Sequence, residues 1–118
     1  MKLIKKKDID KLPEKEGVYF IWNNKELLYI GRSINIKRRI KNHVYPSYLE
    51  NALVNPKEIK FISFQILRNH EETKRIENSL LSIFDTKNNN CDNWYCHRKF
   101  KIKINIDDIR DKIMKVKL

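Results

Sequence analysis

With 118 residues the chain has room for one domain with a modest core. Hydrophobic residues make up 41% and charged residues 35%, and no apolar run nears the ~20 residues of a membrane span, which excludes an integral helical membrane protein. The net charge of +11 either points to a polyanionic partner, since each phosphate neutralised releases counterions, or merely keeps the chain dissolved. No apolar segment follows the basic start MKLIKKKDID, so no secretory signal is read there. Two cysteines without such a signal fit a reducing, cytoplasmic setting.

Residues 1–16 alternate lysine with acids and end at Leu12-Pro13, which predicts a short helical or irregular lead-in, loosely packed through Leu3, Ile4, Ile9 and Leu12. Residues 17–31 form two apolar runs around Asn23-Asn24-Lys25, the pattern of a hairpin covered on both faces. A three-residue loop pairs Tyr19 with Tyr29 and puts both side chains on one face. A two- or four-residue loop separates them, unless a bulge restores the phase. A strand tyrosine is by itself ordinary core material. The only two glycines, Gly17 and Gly31, flank this hairpin; Gly31 would allow a sharp turn or a phosphate's approach.

A helix is predicted over 33–45, capped by Ser33 or Asn35, with Ile36, Ile40 and Val44 as its buried stripe. Arg39 and His43 flank that stripe together, while Lys37, Arg38 and Lys41 spread over the exposed faces. The plain alternative is a solvated basic face with a satisfied histidine. Pro46 to Pro56 interrupts the pattern, with room for a short helix through Tyr48, Leu49, Ala52 and Leu53. EIKFISFQIL at 58–67 is a third, largely buried strand. A second helix spans 71–85, its stripe made by Ile76, Leu80, Leu81, Ile83 and Phe84. At about 100° per residue Glu77 falls inside that stripe, where a carboxylate needs a cation. Pairing with Lys74, or water at the stripe's edge, would also satisfy it.

Residues 86–97 are polar and turn-like. Cys91, Cys96 and His97 offer three zinc ligands without a clear fourth, a poor structural site. Residues 98–118 suggest a strand through Phe100, Ile102 and Ile104. A short helix then begins near Asn105 or Asp107, facing the core through Ile106, Ile109 and Ile113.

Gly17-Val18-Tyr19, Tyr29-Ile30-Gly31, Arg39 with His43, Glu77 and the trailing asparagines occur in the order of the GIY-YIG nucleases, which this chain resembles over roughly 17–90. Valine replaces the middle isoleucine of the first triplet, a harmless exchange in a strand. The resemblance implies an α/β (α+β) fold, a small three-stranded antiparallel sheet flanked by helices. It makes 1–118 one domain, with the motif core at 17–90 and a C-terminal strand and helix extension at 98–118. It implies a metal-dependent endonuclease with one Mg2+ or Mn2+ per site held by Glu77. Tyr19 or Tyr29 would serve as base, Arg39 as phosphate clamp and His43 as proton acceptor. An asparagine would hold the site: Asn89 by spacing, with Asn88 and Asn90 as alternatives.

Mg2+ is content with one protein carboxylate plus water and phosphate, so the lack of an acidic cluster is no obstacle. Arg32, Lys37, Arg38 and Lys41 are the expected nucleic-acid contacts. The expected partner is DNA, duplex or branched, with a homodimer or a specificity subunit as further partners and no membrane. The rival from another class is a non-catalytic nucleic-acid-binding module that keeps the fold.

Overall fold

The computed structural model describes residues 3–47, 52–89 and 102–107. Its described strands are β1 (Ile4–Lys5), β2 (Gly17–Trp22), β3 (Leu27–Ser33) and β4 (Phe61–Ile66), joined in one antiparallel sheet of order β1-β4-β2-β3. Two helices accompany it, α1 (Ile36–Val44) and α2 (His70–Ile83), with a 3-10 segment over Lys6–Lys11 and another over Pro56–Glu58.

The α+β architecture is as expected, but the sheet has four strands rather than three. The addition is β1, two residues that pair Ile4 with Ile62 and Lys5 with Phe61. Such a short strand, surrounded by lysines, has no alternation to betray it. The loose packing expected of the lead-in is also corrected, because Ile9 and Leu12 are buried core residues.

Central strand β2 is buried at every position. Its odd residues, Tyr19 and Ile21, join a core with Ile36, Ile40 and Val44 of α1 and with Ile9 and Leu12. Its even residues, Val18, Phe20 and Trp22, join a second core with Leu81 of α2 and Ile106. Both faces of the hairpin are therefore covered, which is why its sequence is apolar without alternation. The one polar indole group on that strand is satisfied, since Trp22 Nε1 donates to the buried Ser63 Oγ at 3.0 Å.

Each helix begins at an asparagine. The Asn35 side chain accepts from Arg38 N and that of Asn69 from Glu72 N, which satisfies donors the first turn leaves open. The expected stripe of α1 is buried as read. On α2 the stripe is narrower: Leu81 and Thr73 are its buried residues, while Ile83 is exposed. Of the C-terminal extension, Ile102 bridges Phe84, Asn105 bridges Glu26, and Asn105 caps the turn at Asp107. Tyr48, Leu49, Asn90, Cys91, Cys96, His97, Phe100, Ile109 and Ile113 lie outside the described residues.

Candidate active site

The site starts from an irregularity in the hairpin. Tyr19 pairs with Gly31, Phe20 with Ile30 and Ile21 with Tyr29, but Trp22 pairs with Leu27. One step along β2 thus answers two along β3, and Leu28 is the extra residue of a β-bulge. Four residues, Asn23 to Glu26, separate the last pair, a loop that alone would place the tyrosines on opposite faces. The bulge restores the phase: Leu28 and Tyr29, adjacent in sequence, both pack into the core beneath α1. The two phenols accordingly share a face, their rings stacked with centroids 6.1 Å apart.

Gly31 is what lets Tyr19 lie flat. A Cβ at position 31 would run into the hydroxyl end of the Tyr19 ring and the edge of Tyr29. Of the two uses expected of Gly31, the sharp turn is not there; the residue is an interior strand position, buried and in regular pairing. Its role is to leave room for a neighbouring ring.

Helix α1 supplies the other wall. His43 and Arg39 are one turn apart, and His43 is turned inward with 5% exposure. Its Nε2 is 2.8 Å from the Tyr19 hydroxyl, and its ring centroid is 5.1 Å from that of Tyr29. Burial, with Arg39 adding to it, lowers the His43 pKa to about 4, so the imidazole is neutral at neutral pH. Burial also raises the pKa of Tyr19, to which the neighbouring Tyr29 adds and which Arg39 opposes. Tyr29 shifts upward for the same first reason, burial, again opposed by Arg39. Burial disfavours the Arg39 charge, but Tyr19 and Tyr29 outweigh it and the guanidinium stays cationic.

Glu77 comes from α2. Its side chain is 16% exposed, and its Oε1 lies 3.2 Å from Arg32 Nε. Burial raises its pKa and the Arg32 charge opposes the rise. Its negative charge is felt by both Tyr19 and Tyr29. Among the described residues no group of three or more His, Cys, Asp or Glu side chains assembles, so Glu77 is a lone acid. One hard carboxylate whose charge reaches two phenols, with Arg32 as its single ion-pair partner among the described residues, suits an oxygen-loving divalent cation that keeps most of its water.

Asn89 is placed by a two-point contact. Its Oδ1 accepts from Ile30 N at 2.9 Å and its Nδ2 donates to Ile30 O at 2.8 Å. The side-chain amide behaves as one more strand on the outer edge of β3, between Tyr29 and Gly31. Asn88 instead uses its backbone, donating to Leu28 O at 2.7 Å.

The basic residues divide. Arg38 is exposed at the start of α1, and Lys37 is half-buried beside it. Lys41 is engaged by Asp10 at 2.8 Å, and Arg32 by Glu77. Two residues that the sequence did not single out continue from Arg32. His70 Nε2 lies 3.3 Å from Arg32 Nη1, and His70 Nδ1 lies 3.4 Å from Glu16 Oε2. No spacing rule links positions 16, 32 and 70, so only the fold reveals them.

Comparison with known proteins points to one family. The chain is 34% identical over 85 residues to UvrABC system protein C of Hydrogenobaculum sp. (strain Y04AAS1), covering 69% of this chain and 14% of that protein. With UvrABC system protein C of Rickettsia rickettsii (strain Sheila Smith) it is 33% identical over 88 residues, 74% of this chain and 14% of the relative. The chain thus spans about a seventh of the length of these curated relatives. Its structure is similar to the GIY-YIG N-terminal endonuclease domain of UvrC from Thermotoga maritima bound to its catalytic divalent cation, magnesium. That likeness has a TM-score of 0.62 at 25% identity, over 71% of this chain and 93% of that one. A point mutant of the same domain, also bound to its catalytic divalent cation, gives a TM-score of 0.63 at 25% identity, over 72% and 93%. Residues 15–91 match the GIY-YIG catalytic domain, and the chain therefore belongs to the GIY-YIG family of nucleases.

Proposed function

We propose that this chain is an endonuclease that hydrolyses DNA phosphodiester bonds, using one Mg2+ or Mn2+ ion held by Glu77 and the side chains of Tyr19, Tyr29, Arg39 and His43. The observation that carries the reading is the 2.8 Å contact between Tyr19 Oη and His43 Nε2. With the His43 proton on Nδ1, Nε2 accepts from the phenol, and the Tyr19 oxygen, which also accepts from Arg39, keeps a lone pair for a water. Tyr19 need never exist as a free phenolate, which its burial disfavours. As the water attacks phosphorus, Tyr19 takes a proton from it and passes its own to His43. His43 is a weak base in the resting protein because it is buried and faces Arg39. A substrate phosphate that neutralises Arg39 removes part of that penalty, so basicity rises when substrate arrives.

Tyr29, stacked on Tyr19, orients the water. Arg39 places a permanent, directional charge against the non-bridging oxygens, where charge grows in the transition state. Asn89 fixes the β3 backbone between Tyr29 and Gly31, and so holds the phenol without touching substrate. Bound at Glu77, a divalent ion would supply further charge neutralisation and stabilise the leaving oxygen. Arg38, Lys37 and Lys41 contribute phosphate contacts along α1, Lys41 after exchanging its Asp10 partner.

A single site of this kind cuts one strand at a time. Double-strand cleavage then takes two events or a homodimer, and choice of target falls to a partner or to substrate shape, duplex or branched. No described helix is long and apolar enough to cross a membrane, and a cytoplasmic setting suits a nuclease of this class. The direct test is nicking of supercoiled plasmid with Mg2+ or Mn2+. Activity that EDTA and Glu77→Gln both abolish supports the enzyme, whereas tight DNA binding without nicking under either metal leaves only a binding module.

A further inference from the structure

Beside the tyrosines a cleft of about 370 Å3 opens between the β3–α1 turn and the first turn of α2. It is lined by Glu16, Arg32, Ser33, Arg39, His70 and Thr73, with Ile34 at 65% exposure on its rim. Arg39 belongs both to this cleft and to the group around Tyr19, so the two spaces adjoin. Arg32 reaches from the cleft to Glu77.

We infer that this cleft binds the phosphodiester next to the one cleaved, with Arg32 as its contact and the Glu16–His70 pair as the positioning residues of Arg32. The inference rests on the nuclease reading above and adds a subsite to it. An arginine can only donate, so the 3.3 Å contact with Arg32 Nη1 requires His70 Nε2 to accept. The ring proton then sits on Nδ1, the nitrogen that faces Glu16 Oε2 at 3.4 Å. That Glu16 oxygen is cut off from solvent and makes no well-aligned hydrogen bond, so His70 is the group that answers it. The chain of contacts Glu16–His70–Arg32–Glu77 holds Arg32 Nη1 at His70 and Nε at Glu77, both on α2, and leaves Nη2 without a partner among the described residues.

Two features favour a nucleotide over a free anion as occupant. The cleft is within the usual range for a small-molecule site, roughly 300–1,000 Å3, which is far more than one phosphate fills. The apolar Ile34 side chain on its rim offers a surface for a sugar or base beside the two guanidinium groups. A cation paired with Glu77 in the free protein also gains a reason to move: a phosphate at its free edge and a divalent ion at Glu77 would each take over one half of that ion pair.

The test is a charge-neutralisation scan in EDTA, so that binding is read without cleavage. A set of 20-base-pair duplexes, each carrying one methylphosphonate at a successive position, is titrated against wild type, Arg32→Gln, His70→Ala and His70→Asn. One position is expected to weaken wild-type binding by about tenfold yet cost Arg32→Gln almost nothing, the signature of a direct pair. His70→Ala should reduce that positional penalty, and His70→Asn, which can still accept and donate, should restore it. Partial unfolding of a variant would lower affinity for every duplex alike and leave the positional pattern intact. Identical patterns in wild type and Arg32→Gln, or no measurable binding to any duplex, would overturn the subsite. Coupling at one position in a protein that nicks nothing would keep the subsite and sink the nuclease reading instead; nicking without coupling would do the reverse.

Discussion

Tyr19 and Gly31 face each other across the β2–β3 ladder, and the Tyr19 ring occupies the space where a side chain at position 31 would stand. This pair sets the height of the Tyr19 hydroxyl above the sheet and hence its 2.8 Å approach to His43. Gly31→Ala must push the ring aside, an overpacking that costs about 1–3 kcal/mol of stability. The expected result is a folded but less stable protein whose nicking rate falls at least as far as that of Tyr19→Phe. Denaturant melts read beside plasmid nicking check both halves.

Glu77→Gln keeps the shape of the side chain and removes its charge. Nicking in Mg2+ should fall by at least about a hundredfold, on the scale of losing one preorganised electrostatic contact. Binding to uncut duplex in EDTA should change little, and Mg2+ should no longer raise the unfolding midpoint. A variant that still responds to Mg2+ in a thermal melt would place the ion elsewhere.

Arg39→Ala should lower kcat by roughly 30- to 1000-fold, equivalent to about 2–4 kcal/mol of transition-state stabilisation. Arg39→Lys should recover little, because an ammonium cannot reproduce the fixed fork that faces two oxygens. Single-turnover nicking with saturating protein separates this loss from weakened binding.

His43 ties stability to pH. Its pKa is near 4 in the fold, from burial and then Arg39, against about 6.5 unfolded, so the unfolded chain binds the extra proton between those values. Stability from this residue is complete above about pH 6.5 and is lost as pH falls towards 4, up to about 3 kcal/mol in all. His43→Gln should flatten the unfolding free energy over that window relative to wild type. Equal slopes in the two proteins would show that the imidazole is not the titrating group.

Asn89→Ala removes two hydrogen bonds from the Ile30 backbone and leaves that edge to water or unpaired. A stability loss of about 1–3 kcal/mol is expected. The kcat should fall while KM for DNA stays nearly constant, since Asn89 acts through Tyr29 rather than on substrate. Asn89→Asp should do no better, because a carboxylate would face the Ile30 carbonyl.

Much of this was legible beforehand, and the reasons are local. The covered hairpin follows from two apolar runs without alternation, and the stripe of α1 and the Arg39–His43 turn from the 3.6-residue period. The common face of the two tyrosines was not legible, because it depends on Leu28 being an extra residue, and a leucine there looks like any strand leucine. Spacing favours Asn89 among three consecutive asparagines, while its contact with the Ile30 backbone appears only in the fold. The Arg32–Glu77 pair joins residues 45 positions apart, and Lys74, the nearer candidate by helical spacing, is not its partner. Strand β1 escaped because two residues are too few to carry a pattern.

The bulge at Leu28 has a practical corollary for anyone altering this protein. Hairpin tips are ordinarily the safest places to lengthen, trim or graft, since they stand far from working parts. Here, a ladder that ran on regularly from Trp22–Leu27 would set Leu28 opposite Ile21 and swing Tyr29 through to the opposite side, beneath α2, whereas removing Leu28 itself would leave Tyr29 opposite Ile21. A slip of one position in the pairing, with every reacting group still present, would dismantle the centre while leaving a well-folded sheet behind.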